Sequence, residues 1–423
     1  MMSKSKNVLR SQLDLRKPDA ATPAIPGQLL TKLPALPASP LDMAEKLYQA
    51  SLPKPSHDID GELSPYERIS ERVYCHFVAS PVEAEILHAI YAWVRIVTAT
   101  MERDFIDWCH RLAEISMRSE LIQGRPGIRF SMLICAPLYM QAEKGLFALL
   151  RFMNSPIPHR SWTDFDTTGA ILKERPIYYV QLPIVPVRMS KGVEHNDILF
   201  AVLDAYDLAG NFDEKRRIKA ETGHGQCDIT EVIKVLLRSS VAVVAFFGWR
   251  ESHHHGKSLW KILSAFREAG IGVVLYATAA IGLCRQELIG VFPQDPVEIG
   301  AYNLCRVADL ARAYAETMSL CVAPDRPAPA AWINIVGGLY GYRELLDAAA
   351  QLVVHRIHIE NEEMSVALTN VKRTILEEFS GSLAAINHLH QYGTLPTSLV
   401  SQNRDRLPLA LVQRFGGDRG SKI

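Results

Sequence analysis

Four predominantly apolar runs of strand length alternate with segments of helical apolar spacing. The runs are residues 128–136 (IRFSMLICA), 176–183 (PIYYVQLP), 240–249 (SVAVVAFFGW) and 270–278 (GIGVVLYAT). The helical segments are 142–153, 197–208, 230–239 and 257–269. Near-continuous apolar strands are those buried on both faces, and strand–helix alternation is the signature of a parallel sheet covered by helices on both sides. The expected fold class is therefore α/β.

The flanks are helical. Ser64-Pro65-Tyr66-Glu67 carries an N-cap, a proline at the first helical position and a capping-box glutamate, and Ser80-Pro81-Val82-Glu83 repeats the signal. Residues 84–94 and 98–123 have helical spacing, as do 344–358 and 361–389, while 210–228 is charged and contains glycines, the composition of a loop or insertion. Residues 18–55 hold eight prolines and follow a short basic stretch (Lys4, Lys6, Arg10, Arg16, Lys17). This composition predicts a flexible basic, Pro-rich tail over 1–60, and the polar, basic end predicts a second tail over 394–423. Between them lie an α/β domain with a helical entry (61–325) and a helical region (326–393).

Lys+Arg and Asp+Glu both number 46 in the 423 residues, so no global field draws the chain to nucleic acid or membrane, and DNA contact would need a local patch. Arg125, Arg129, Arg151, Arg160, Lys173, Arg175, Arg188 and Lys191 form a dispersed basic population that could supply one. The seven cysteines are scattered, without a CxxC pair, which argues against a disulfide framework or zinc ribbon and for a reducing, cytoplasmic setting. No apolar run is of membrane-spanning length.

Several stretches bear on chemistry. Arg72-Val73-Tyr74-Cys75-His76-Phe77-Val78 precedes the first strand run. Then come Pro176-Ile177-Tyr178-Tyr179-Val180-Gln181-Leu182-Pro183, Val273-Val274-Leu275-Tyr276-Ala277-Thr278, and Gly337-Gly338-Leu339 before a helix. In order and texture, residues 66–390 resemble the AAA+ transposition regulators of the TniB/TnsC type. The resemblance implies a P-loop NTPase-like parallel sheet with a helical N-terminal region and a C-terminal helical lid. It places Lys144, Thr278 and Arg343 at the nucleotide-binding positions of the phosphate loop, sensor and lid. It also implies transposase and target-selection proteins as partners, possible DNA contact, and a homo- or hetero-oligomer.

The departures from that pattern are in the chemistry. A phosphate-cradling loop needs G-x-x-x-x-G-K-[ST], with glycines to turn backbone N–H groups inward, a lysine for the phosphates and a hydroxyl for magnesium. Cys135-Ala136-Pro137-Leu138-Tyr139-Met140-Gln141-Ala142-Glu143-Lys144-Gly145 has no glycine before the lysine, places Glu143 beside it, and ends in Gly145 where the hydroxyl belongs. The strand that should end in acids to hold magnesium reads Val243-Val244-Ala245-Phe246-Phe247-Gly248. The expectation is a pseudoATPase with no catalytic residues, no metal and no cofactor, acting as a regulator or scaffold. The alternatives are a divergent but active AAA+ transposition regulator that binds ATP and magnesium around Lys144, an unrelated cytoplasmic interaction protein, and an unrelated cytoplasmic enzyme. For the latter, His253-His254-His255, the Glu221–Asp228 stretch with His224 and Cys227, and the His355/His358 pair are the chemical candidates, although none has metal-ligand or nucleophile–base spacing.

Overall fold

The described residues of the computed structural model (28–52, 64–102, 129–165, 171–189, 194–221, 226–250, 256–284, 289–320, 327–409 and 411–412) form seven strands. These are β1 (Ser131–Cys135), β2 (Ile157–Phe165), β3 (Ile171–Gln181), β4 (Ile184–Arg188), β5 (Val243–Trp249), β6 (Gly272–Ala277) and β7 (Val297–Glu298). Five make a parallel sheet in the order β4-β5-β6-β1-β7, and β2 and β3 pair as a separate antiparallel ribbon.

Because side chains alternate along a strand, each strand feeds two cores. Met132 and Ile134 of β1 enter one, and Leu133 and Cys135 enter the other. The first face is covered by helices from both ends of the chain: α1 (Pro40–Ser51), α2 (Pro65–Cys75), α3 (Pro81–Glu102) and α4 (Glu143–Phe152). The second is covered by α5 (His195–Gly210), α7 (Ile229–Arg238) and α8 (Gly256–Glu268), with α6 (Glu214–Glu221) contributing Ile218. The C-terminal helices α9 (Val307–Thr317), α10 (Ala330–Gly337), α11 (Arg343–His358), α12 (Val371–Glu378) and α13 (Ser380–Tyr392) add their buried residues chiefly to the first core. Helix α14 (Thr397–Gln402) follows. No helix among the described residues is long and apolar enough to cross a membrane.

Both capping boxes form: Ser64 accepts from the Glu67 N–H at 3.2 Å, and Ser80 from the Glu83 N–H at 3.3 Å, with each glutamate accepting from its cap's N–H in return.

Several expectations change. The run 176–183 belongs mainly to β3 of the ribbon, and the parallel strand beside β5 is β4, which begins just past Pro183. β4 is an edge strand, where Pro186 can leave its missing N–H on the unpaired side. The stretch 210–228 contains α6, held by ion pairs of Arg217 with Glu214 and Glu221 and of Lys215 with Asp204. The stretch 361–389 is broken where Asn361 (φ 55°) and Asn370 (φ 60°) take left-handed conformations. Helix α3 ends its described length at Glu102, and the remainder of the segment expected over 98–123 lies outside the described residues.

Neither expected tail is a tail throughout. Leu29, Leu33, Met43 and Leu47 are buried, and the carbonyl of Pro34 accepts from Tyr91 and Arg95 of α3, that of Pro37 from His88 at 2.9 Å. The prolines thus shape an extended strap bonded through its carbonyls. At the other end, Leu395, Val400, Leu407, Leu409 and Val412 are buried in the second core, and the Leu409 N–H donates to Glu298 at 2.7 Å. Residues 1–27, 53–63 and 413–423 lie outside the described residues.

Candidate functional site

The carboxyl ends of β4, β5, β6 and β1 open into one cavity of about 360 Å³. Crevices in this position are the usual ligand sites of open parallel sheets. The loop after β1 supplies one wall, ending at Glu143; Arg188 and Met189 beyond β4, Gly248–Arg250 at the end of β5, and Tyr276–Thr278 at the end of β6 supply the rest. Two residues of β5, Phe247 and Gly248, stand against one of β6, Tyr276, between the pairs Phe246–Leu275 and Trp249–Ala277, so β5 bulges at Gly248 (φ 78°) and turns away at the cavity rim.

The loop after β1 is folded against the protein. Leu138–Met140 form a 3-10 turn with Tyr139 and Met140 buried, and Gln141 is left-handed at φ 44°. The amides of Met140, Gln141, Lys144 and Gly145 donate to carbonyls three residues back within the same turns, at 2.9–3.3 Å. Those N–H groups are unavailable to cradle a phosphate. Lys144 pairs with Asp347 of α11 at 2.5 Å and does not line the cavity. Burial raises the Asp347 carboxyl's pKa, an effect opposed by the Lys144 ammonium and the Tyr314 hydroxyl, which donates to Asp347 at 2.7 Å.

Gly145 stands where the resemblance expects a magnesium-binding hydroxyl. A Cβ there would lie 2.9 Å from both Leu87 and Phe77, two fully packed side chains. Restoring the hydroxyl with Gly145→Ser should therefore destabilise the protein by about 1–3 kcal/mol through overpacking. Urea unfolding measures this directly, and an unchanged midpoint would show that the helix–helix contact has room to spare.

Of the three expected nucleotide positions, only Thr278 lines the cavity, and its hydroxyl already donates to Asp405 in the docked C-terminal segment. Arg343 is 1% exposed, with all three guanidinium nitrogens engaged. Nη2 contacts both Glu83 oxygens at 2.8 Å, Nη1 donates to Met140 O at 2.7 Å, and Nε donates to the Tyr302 hydroxyl at 2.9 Å. Burial lowers the Arg343 pKa, but Glu83, Tyr302 and Tyr314 together outweigh it and the net shift is upward. Arg343 is entered through Gly341 (φ 71°), where a Cβ would meet the Tyr302 carbonyl oxygen at 2.5 Å. Where the magnesium-binding acids would stand, Phe246 is buried in the second core and Phe247 packs edge-on against Phe147, with centroids 5.6 Å apart.

The cavity's charge comes instead from Arg188, Arg250 and Glu143. Tyr276, 5% exposed, also lines it. Its hydroxyl has no hydrogen-bond partner among the described residues, and burial, with Glu83 and Glu143 nearby, raises its pKa so that it remains a donor. Sequence reasoning passed over Arg250 and Tyr276, although each follows or ends a strong strand run, the place where a parallel sheet presents its ligands.

The other chemical candidates do not assemble. The Cys227 thiol is pushed up to about 11 by burial and by Asp228 and Glu231, the reverse of an activated nucleophile. His224, the 253–255 histidines, Arg125 and Lys191 lie outside the described residues. His355 sits 3.5 Å from Glu360 and edge-on to Tyr66 at the rim of α11. Arg151 is tied to the Cys75 carbonyl and sulfur at 3.4 and 3.3 Å. No group of three or more His, Cys, Asp and Glu side chains among the described residues could hold a metal ion. A scan against protein-family models and a search of curated proteins find no match to this chain.

Proposed function

We propose that this chain is an AAA+-like, P-loop-related protein that does not use nucleotide and acts as a regulator or scaffold in a DNA transposition or mobile-element assembly. The observation that carries the nucleotide part is the fate of Lys144: the one lysine of the loop is held by Asp347 in the helical region, outside the cavity. Support also comes from the sheet, in which β1, the strand before that loop, pairs with β6, which Thr278 follows, and β5, with Phe246 and Phe247 near its carboxyl end, lies on the far side of β6. The helices of 330–392, which this reading takes as the counterpart of a lid, are joined to the loop through Arg343 and Asp347. The assembly part rests on the resemblance of residues 66–390, with transposase and target-selection proteins as partners.

Thermal unfolding of the full chain with ATP, ADP and magnesium tests the first part. A ligand present at 100 times its Kd stabilises by about 2.7 kcal/mol, a shift readily seen. The expected result is no shift at millimolar nucleotide. Saturable stabilisation by ATP that disappears in Lys144→Ala would sink this reading and favour a divergent ATP-binding regulator. For the assembly part, complex formation with a co-expressed transposase should be indifferent to nucleotide.

A further inference from the structure

We propose that the cavity at the strand ends binds a small organic carboxylate of net charge −1, held by Arg188 and Arg250. This inference goes beyond the scaffold reading, since it gives the cavity a ligand of its own.

Four observations converge on it. First, Arg188 and Arg250 both line the cavity, both are solvent-exposed, and among the described residues neither is tied to a carboxylate. Arg250 lies within electrostatic reach of Glu344 without pairing with it. Every other arginine discussed above at the sheet ends or within the core is engaged, Arg343 most completely. A guanidinium presents a planar fork of donors that matches a carboxylate bidentately.

Second, the backbone is shaped around one of them. A Cβ at Gly248 would sit 3.9 Å from the Arg188 Cγ, so the side chain of Arg188 passes beside the bulge that bends β5 away at the rim. Third, Tyr276 lines the cavity, and its buried hydroxyl has no hydrogen-bond partner among the described residues. A buried donor without a hydrogen bond is costly to keep, and one beside a ligand-sized cavity is what a donor reserved for a ligand looks like. Fourth, Leu138, Met189, Phe247 and Trp249 give the cavity an apolar side, so its occupant has an apolar body as well as a charge.

The charge balance selects the class. Among the described residues, two arginines against Glu143 leave one net positive charge on the cavity's ionised side chains. A triphosphate would bring several uncompensated negative charges up to Glu143, and the amides of Met140, Gln141, Lys144 and Gly145 are already occupied. A monocarboxylate matches both the charge and the volume, which lies at the lower end of the roughly 300–1,000 Å³ typical of small-molecule sites.

Isothermal titration of the full chain with benzoate and with pyruvate, each at millimolar concentration, tests the proposal, with inorganic phosphate and magnesium-ATP as comparison ligands. The expected result is saturable binding of a carboxylate probe, weakened about ten-fold or more in Arg188→Gln and in Arg250→Gln, and tightened in Glu143→Gln. Both arginines are exposed, so melting of the variants should match the parent and separate lost binding from lost fold. Absence of saturable carboxylate binding would overturn the proposal, as would equal affinity in the arginine variants. Binding of phosphate or ATP in preference to both carboxylates would overturn the ligand class. Magnesium-ATP binding lost in Lys144→Ala instead bears on the scaffold reading, so the two failures are told apart by which variant loses which ligand.

Discussion

Replacing Arg343 by methionine is expected to cost about 3–5 kcal/mol of folding stability, the range for removing one partner of a buried ion pair. Methionine retains most of the apolar stem but leaves Glu83, 2% exposed, without its counter-charge. It also strips donors from the carbonyls of Met140, Gln141 and Val78, and removes the guanidinium stacked over Phe77 at 4.7 Å. These groups belong to residues 77–83, which lead into α3, and to the loop after β1, and with Tyr302 they make three separate stretches of chain that one side chain ties to the helical region. Arg343→Lys should recover little, because a single ammonium cannot replace a planar fork that reaches Glu83, Tyr302 and two loop carbonyls at once. Adding Glu83→Gln to Arg343→Met should restore part of the loss by removing the stranded charge, while glutamine keeps an acceptor for the Ser80 N–H. Urea titrations of the two single variants and the double variant give the coupling energy directly. A single variant within 1 kcal/mol of the parent would mean that Glu83 finds water or protonates easily, and the hub would be incidental.

Much of this architecture is legible in the sequence because it is local. β5 and β6 announce themselves as apolar runs, and both capping boxes are written in four consecutive residues each. What is not legible is what depends on distant partners or on a broken pattern. β4 is concealed by Pro183 and Pro186, which read as stops until the strand is known to lie at a sheet edge. Helix α6 (EKRRIKAE) has one buried apolar residue, Ile218, and relies on ion pairs, so periodicity has little to detect. The N-terminal strap looks disordered by proline content, yet its anchors Leu29, Leu33, Met43 and Leu47 are spread through it.

The site shows the same division. That Cys135–Gly145 departs from the phosphate-loop pattern is readable in its composition alone. Where Lys144 and Arg343 point does not, because Asp347 and Glu83 lie 203 and 260 residues away from them. A residue expected to face a ligand and one that welds two helices together look identical in a sequence. Only the partner distinguishes them.

Acidification should weaken the fold through His76, by roughly 5 kcal/mol in full, since each pKa unit is worth about 1.4 kcal/mol. His76 is 1% exposed, neither ring nitrogen has a hydrogen-bond partner among the described residues, and the ring is packed edge-on to Tyr314 and Tyr48 at 4.5 and 5.6 Å. Burial, reinforced by the positive charges of Lys144 and Arg343, lowers its pKa from 6.5 to about 3. Above pH 6.5 the ring is neutral in both folded and unfolded chains and contributes nothing. As the pH falls from 6.5 towards 3 the unfolded chain takes up a proton that the folded one refuses, so stability declines across that window and levels below it. Asp347 and Glu344 act in the opposite sense. Their folded pKa values are raised, chiefly by burial, so the folded chain protonates first and gains stability as the pH falls through theirs. Subtraction isolates the histidine: His76→Leu keeps a buried side chain of similar bulk but cannot titrate. The difference between parent and His76→Leu should grow by roughly 2 kcal/mol in the variant's favour between pH 6.5 and pH 5, and should be flat above pH 7. Urea midpoints across that range measure it. Parallel pH profiles for the two proteins would mean that water or a rearranged neighbour reaches the ring, and that the Tyr48–His76–Tyr314 stack opens before the protein unfolds.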